Sequence, residues 1–260
     1  MTRRTVWRGF ALGLASLVLW MSSLSTPLRA GEPQSLPASP ACPGLVIVVD
    51  GAGGFEAASR QLRQTAAQAQ LPLDVRVFHW SHGYCRILAD QVHAEHARRE
   101  ARRLSDSIVA YRRTAPNQPI YLVGHSAGCA VVLLAAECLP ADSVERIVLL
   151  APAVSATRDL KPGLRCARRG IDAFTSTYDW AWLGLGTLLA GTADRRWTSA
   201  TAGRAGFQPP TVGGTDDALY AKLRQHPWNP RMKSLGHNGG HYGAYQPEFL
   251  RAFVFPLLRD

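Results

Sequence analysis

Ile120-Tyr-Leu-Val-Gly-His-Ser-Ala-Gly-Cys-Ala-Val-Val-Leu-Leu-Ala-Ala-Glu137 is the stretch from which the rest of the chain is read. Its first four residues are apolar or β-branched, as in a strand covered on both faces, and the run after Gly128 has the composition of a buried helix. Gly124-His125-Ser126-Ala127-Gly128 stands directly between them. Strand, sharp turn and helix therefore follow with no linker, and the two elements nearly touch at the turn. Gly124 and Gly128 lack the Cβ atoms that would collide there, and the strained turn holds the Ser126 hydroxyl clear of the sheet.

Outward from this point the chain alternates strands with helices. Leu45–Val49 is a continuous apolar strand, Asp74–Trp80 alternates as a second, and Arg146–Ala151 and Ile171–Thr177 follow the central helix. A short strand near Met232–Leu235 makes the sixth. Helices are predicted from Glu56 to Ala69, along Ala94, Ala97, Ala101, Leu104, Ile108 and Tyr111, and from Pro247 to Leu258. Such alternation implies a mostly parallel sheet of about six strands flanked by helices, with right-handed crossovers. In open α/β sheets ligands sit at the carboxyl ends of the strands. Trp80, His82 and Tyr84, at the end of the second strand, are therefore candidates to border a pocket.

The elbow resembles that of the α/β-hydrolase fold of serine esterases and lipases. The resemblance implies a catalytic Ser126, with an acid and then a base later in the chain. Asp179, past the carboxyl end of the fifth strand, occupies the acid's place; Asp172 begins that strand at the wrong edge, and Asp194, Asp216 and Asp217 lie in irregular sequence. His237 and His241 both fall on the loop expected to carry the base, and Gly239 and Gly240 give the backbone freedom to turn His241 inward. Asp50-Gly51-Ala52-Gly53 looks like the family's H-G-x-G loop with aspartate in place of histidine. The resemblance thus assigns the oxyanion hole to the N–H groups of Ala52 and Ala127. A dinucleotide loop is a poor reading of the same segment, because the third glycine would fall on Glu56. Trp180 and Trp182 open a long excursion between acid and base; they either line an acyl pocket or lid or simply pack under the sheet. The chain has no room for the antiparallel first strands of larger relatives, so a minimal, cutinase-sized form is expected.

Residues 1–30 have a signal peptide's layout: Arg3, Arg4 and Arg8, an apolar run from Phe10 to Met21, then Pro27 and a small residue at Ala30. The paired arginines also look like a twin-arginine export signal. The apolar run is too short for a comfortable membrane span, so no permanent anchor is expected. Cleavage after Ala30 removes four arginines and no acid, lowering the formal charge from +10 to +6. Residues 31–44 read as a Pro-rich linker, and 45–260 as the hydrolase domain. No basic stripe with interleaved aromatics appears, which argues against nucleic acid. The five cysteines leave at least one unpaired, and Cys129 and Cys138, about 13 Å apart on one helix, cannot bridge each other. His93 and His96 stand three apart on the second helix with no third ligand in view, so no metal and no cofactor is expected.

The function that follows is an exported serine hydrolase, periplasmic or secreted, acting on small-molecule or lipid-like carboxylic esters or thioesters through an acyl-enzyme on Ser126. The alternatives are a binding protein that keeps the fold without turnover, or an acyltransferase using the same three side chains.

Overall fold

Side chains on a strand alternate between faces, so an apolar strand buried in a parallel sheet feeds two cores at once. The computed structural model, which describes residues 36, 44–179, 201–209 and 215–259, has this arrangement. Its strands are β1 (Gly44–Val49), β2 (Leu73–Val77), β3 (Ile120–His125), β4 (Arg146–Leu150), β5 (Ile171–Thr175) and β6 (Leu223–Pro227). They form one sheet in the order β2-β1-β3-β4-β5-β6, with every neighbouring pair parallel. The helices are α1 (Ala57–Gln68), α2 (Ile87–Val92), α3 (Ala94–Thr114), α4 (Gly128–Cys138), α5 (Lys161–Cys166), α6 (Ala202–Ala205) and α7 (Thr215–Tyr220). All of these lie within the compact unit Pro33–Asp260. The expected signal peptide, almost all of the linker, and Trp180, Trp182 and Asp194 lie outside the described residues.

Leu45, Ile47, Leu122, Ile147 and Leu149 project to one face and pack with Leu104, Ile108 and Tyr111 of α3 and Val131 and Val132 of α4. Val46, Val48, Val123, Val148 and Leu150, the intervening residues, pack with Leu62 and Ala66 of α1 and with Phe249, Leu250, Val254 and Phe255 near the C-terminus. The apolar stripe of α3 is buried from Ala97 through Tyr111 as its spacing predicts, with Ala94 partly exposed, and on its polar side Glu100 and Arg103 pair at 2.6 Å. No helix among the described residues is long and apolar enough to cross a membrane.

The chain steps from β1 outward to β2, then crosses back to place β3 on β1's other side. This reversal leaves a crevice beyond the carboxyl ends of β1 and β3, where neighbouring loops diverge. The loop after β1 and the turn carrying Ser126 both open into it.

Two elements differ from the sequence reading. The sixth strand is Leu223-Arg-Gln-His-Pro227, whereas Pro230–Leu235 forms a 3₁₀ helix. An edge strand is covered on one side only, so β6 lacks the apolar run that marks the central strands, and Pro227 sits at its end, where a missing N–H is tolerated. The expected terminal helix is also broken: Pro247–Phe249 is α-helical, Leu250–Val254 a π turn and Phe255–Leu258 a 3₁₀ turn. Pro256 cannot donate an intrahelical hydrogen bond, so a regular α-helix cannot run through it.

Candidate active site

Ser126 has φ +52°, a left-handed conformation that serine adopts at a cost. The turn is held from both sides: Ser126 N–H donates to Leu150 O at 3.0 Å, and Ser126 O accepts from Cys129 N–H and Ala153 N–H, each at 3.1 Å. Added Cβ atoms show why the glycines are needed. On Gly124 one would lie 2.9 Å from Cys129 Cα in α4, and on Gly128 one would lie 2.2 Å from Val49 O and 2.4 Å from Asp50 O. The first glycine lets α4 meet its own strand; the second lets it meet β1. Gly51 belongs to the same close contact, since a Cβ there would stand 3.1 Å from Ser126 Cβ.

Asp179 follows β5 by four residues, and its Oδ2 lies 2.6 Å from Nδ1 of His241. Both side chains are almost wholly buried. The carboxylate can only accept, so Nδ1–H donates, leaving Nε2 as the basic nitrogen. Of the two late histidines, His241 is the one brought to Asp179 and to the cavity that Ser126 lines. His237 points elsewhere: its Nδ1 accepts from Gly239 N–H at 3.2 Å, its ring packs edge-on to Phe249, and burial pushes it down to about 4. The acid and base loops are tied together by Ser176, whose Oγ donates to Gly239 O at 2.5 Å.

His125, the residue before the serine, was not among the sequence candidates, yet it reaches the backbone of His241. It is buried beneath the His241 ring, and its Nε2–H donates to His241 O at 3.3 Å. Burial, aided by the nearby His241, pushes it down to about 3, so it remains neutral. The elbow motif leaves its second position open, and only the fold shows that the side chain reaches the base's loop.

Asp50 also has a role that its alignment with a family histidine does not suggest. Its carboxylate accepts from Ala58 N–H at 2.8 Å and Ser59 N–H at 3.2 Å, satisfying free donors in the first turn of α1. Its backbone O accepts from Trp80 Nε1–H at 2.7 Å. Gly53 N–H is taken by Asp90 Oδ2 at 2.7 Å. Between these fixed points, Ala52 N–H donates to no described residue, and neither does Ala127 N–H. They are the two amides that the sequence assigned to an oxyanion hole.

A cavity of about 80 Å³ is lined by Gly51, Ala52, Phe55, Ser126, His241, Tyr242 and Tyr245, with Ile87 and Gln91 of α2 on one wall. Gln91 Oε1 is buried without a hydrogen-bond partner among the described residues. Trp80 and Tyr84 line an adjoining cavity of about 260 Å³ that shares Asp50, Gly51 and Glu56 with this one, whereas His82 lines neither. Trp80 is buried under the loop after β1, His82 is held by Asp90 at 2.7 Å, and Tyr84 is exposed and meets Phe55 edge-on. The sheet-edge rule located the loop and two of its three pocket residues. A serine hydroxyl, a basic imidazole, a buried carboxylate and two open amides around one crevice can support nucleophilic acyl transfer.

Residues 82–197 match the family described as serine aminopeptidase, S33. A search of curated proteins finds no match. Among solved structures, the chain is similar to an extracellular α/β-hydrolase from a Paenibacillus species, at 12% identity over 84% of this chain and 100% of that one, with a TM-score of 0.44. It is also similar to a lipase-esterase related protein from Clostridium acetobutylicum, at 12% identity over 89% and 98% of the two chains and a TM-score of 0.46. A cutinase-like protein from a Cryptococcus species shares 15% identity over 85% and 97%, with a TM-score of 0.40. The family match runs through the elbow, both strands after it and the acid loop, and the chain has the α/β-hydrolase fold.

Proposed function

We propose that the chain is a serine hydrolase that cleaves carboxylic esters or thioesters through an acyl-enzyme on Ser126. Ser126 Oγ attacks the acyl carbon while His241 Nε2 takes its proton, and Asp179 keeps the other ring proton on Nδ1. The tetrahedral oxyanion is met by the amides of Ala52 and Ala127, each contributing on the order of 3 kcal/mol of transition-state stabilisation. Collapse breaks the bond to the leaving oxygen or sulfur, which receives the proton from His241. Water then repeats the sequence on the acyl-enzyme and restores Ser126.

The observation that carries this reading is the 2.6 Å Asp179–His241 pair bordering the same crevice as a serine on a strained turn. The test is a fluorophosphonate probe followed by p-nitrophenyl esters of graded chain length. Labelling that disappears in Ser126→Ala, with parallel loss of hydrolysis, is the expected result. A folded wild-type protein that takes up no probe overturns the reading. Export through residues 1–30 belongs to the same proposal and is tested by fractionating cells that express the full chain.

A further inference from the structure

Asp90 and Asp172 are both buried carboxylates, but they are treated differently. Asp172 is met by Arg146 at 2.7 Å, Arg224 at 2.9 Å and His226 at 2.8 Å. Asp90, on α2, has no lysine or arginine partner among the described residues, although its side chain is fully buried. It is held by Gly53 N–H at 2.7 Å, Ser81 Oγ–H at 2.6 Å, His82 N–H at 2.8 Å and His82 Nδ1 at 2.7 Å. A buried charge is costly unless it is paired or coordinates a metal.

The third member of this group is His96 of α3, whose ring lies 3.7 Å from that of His82. Its Nε2 lies 2.5 Å from Trp80 O, and since a carbonyl only accepts, that nitrogen carries the proton and Nδ1 keeps a lone pair. One donor atom from each of His82, Asp90 and His96 lies within 4.8 Å of the others. Two ligands on a tetrahedral zinc, at about 2.0–2.1 Å each, stand about 3.3 Å apart. The group therefore needs only small side-chain shifts to close on an ion. The sequence showed His96 with His93 alone; the remaining ligands come from the loop and helix just before, where spacing gives no helical signature.

We propose that His82, Asp90 and His96 bind one divalent transition-metal ion of the zinc class, the neutral His82 ring keeping its single N–H on the nitrogen turned away from the ion. Two imidazoles and one carboxylate suit zinc or cobalt better than magnesium or calcium. None of the three residues lines the cavity that Ser126 lines, but the site braces its surroundings. Asp90 fixes Gly53 of the loop after β1, and α2 carries Ile87 and Gln91 into the cavity wall.

The test uses the whole protein, stripped with chelator and titrated with Zn²⁺ by calorimetry. Expected are one ion per chain, a rise of several degrees in Tm at saturating zinc and no comparable rise with Mg²⁺. His82→Gln and His96→Gln should each weaken binding at least tenfold, whereas His241→Ala should leave it intact. Absence of stoichiometric binding to folded wild type overturns the site, as does binding unchanged by either glutamine variant or abolished by His241→Ala. Metal content and melting are read independently of hydrolysis, so a failed esterase assay does not touch this result.

Discussion

Asp179 and His241 stand 62 positions apart in the chain, yet Oδ2 of one and Nδ1 of the other are separated by 2.6 Å with little access to water. In Asp179→Asn the amide can donate to Nδ1, which moves the ring proton to Nε2 and removes the base. Turnover should fall by about 10⁴-fold with little change in Tm. Steady-state hydrolysis beside thermal melting checks this, and an active asparagine variant would remove Asp179 from the mechanism.

Gly128→Ala should be among the most damaging single changes in the chain. Its Cβ would meet two backbone oxygens, those of Val49 and Asp50, and neither can rotate away. The loss should reach or exceed the roughly 3 kcal/mol upper range of ordinary overpacking. Gly240→Ala is the comparison, because the added atom meets only Asn238 Oδ1 at 3.2 Å and the backbone there is not left-handed. Denaturant melts should separate the two by at least about 2 kcal/mol.

Asp50→Ala should cost about 1–2 kcal/mol through loss of the acceptor at the start of α1. It should also loosen the loop bearing Ala52, lowering kcat more than it raises KM, since an oxyanion amide acts chiefly in the transition state. Asp50→Asn, which keeps one acceptor oxygen, should recover much of the stability. Equal kcat in alanine variant and wild type would dissociate this loop from catalysis.

Stability should decline as pH falls below about 6.5. Burial holds His125 down to about 3 and His237 to about 4, from an ordinary 6.5. Below 6.5 the unfolded chain binds protons that the folded chain refuses, so each histidine contributes a slope of up to about 1.4 kcal/mol per pH unit. The contribution is fully present above 6.5 and is lost as pH falls towards each folded value. Urea midpoints from pH 7.5 to 4.5 give the slope; His237→Gln should make it shallower, and an unaltered slope would exclude His237 from the effect.

The parts of the molecule legible in the sequence are those set by local sterics. Gly124 and Gly128 announce a strand and helix in contact, and the continuous apolar runs at β1, β3 and β4 announce two-sided burial. Met232-Lys-Ser-Leu235 has its two apolar residues three apart, which suits one tight helical turn rather than a strand, while β6 hides behind Arg224, Gln225 and His226. Trp80 and Tyr84 do border a cavity at the sheet's carboxyl edge, as expected, while His82 turns away to Asp90. The contacts of His125 with His241 and of Asp90 with Gly53 join segments distant in sequence, and no spacing rule reports them.

The left-handed backbone at Ser126 sets robustness against reactivity at a single position. Glycine adopts that geometry freely, so Ser126→Gly should melt higher than the native protein while doing no chemistry. A search for heat-tolerant variants that screens only for folding would therefore drift towards a catalytically silent chain, and only a simultaneous demand for product would retain the hydroxyl.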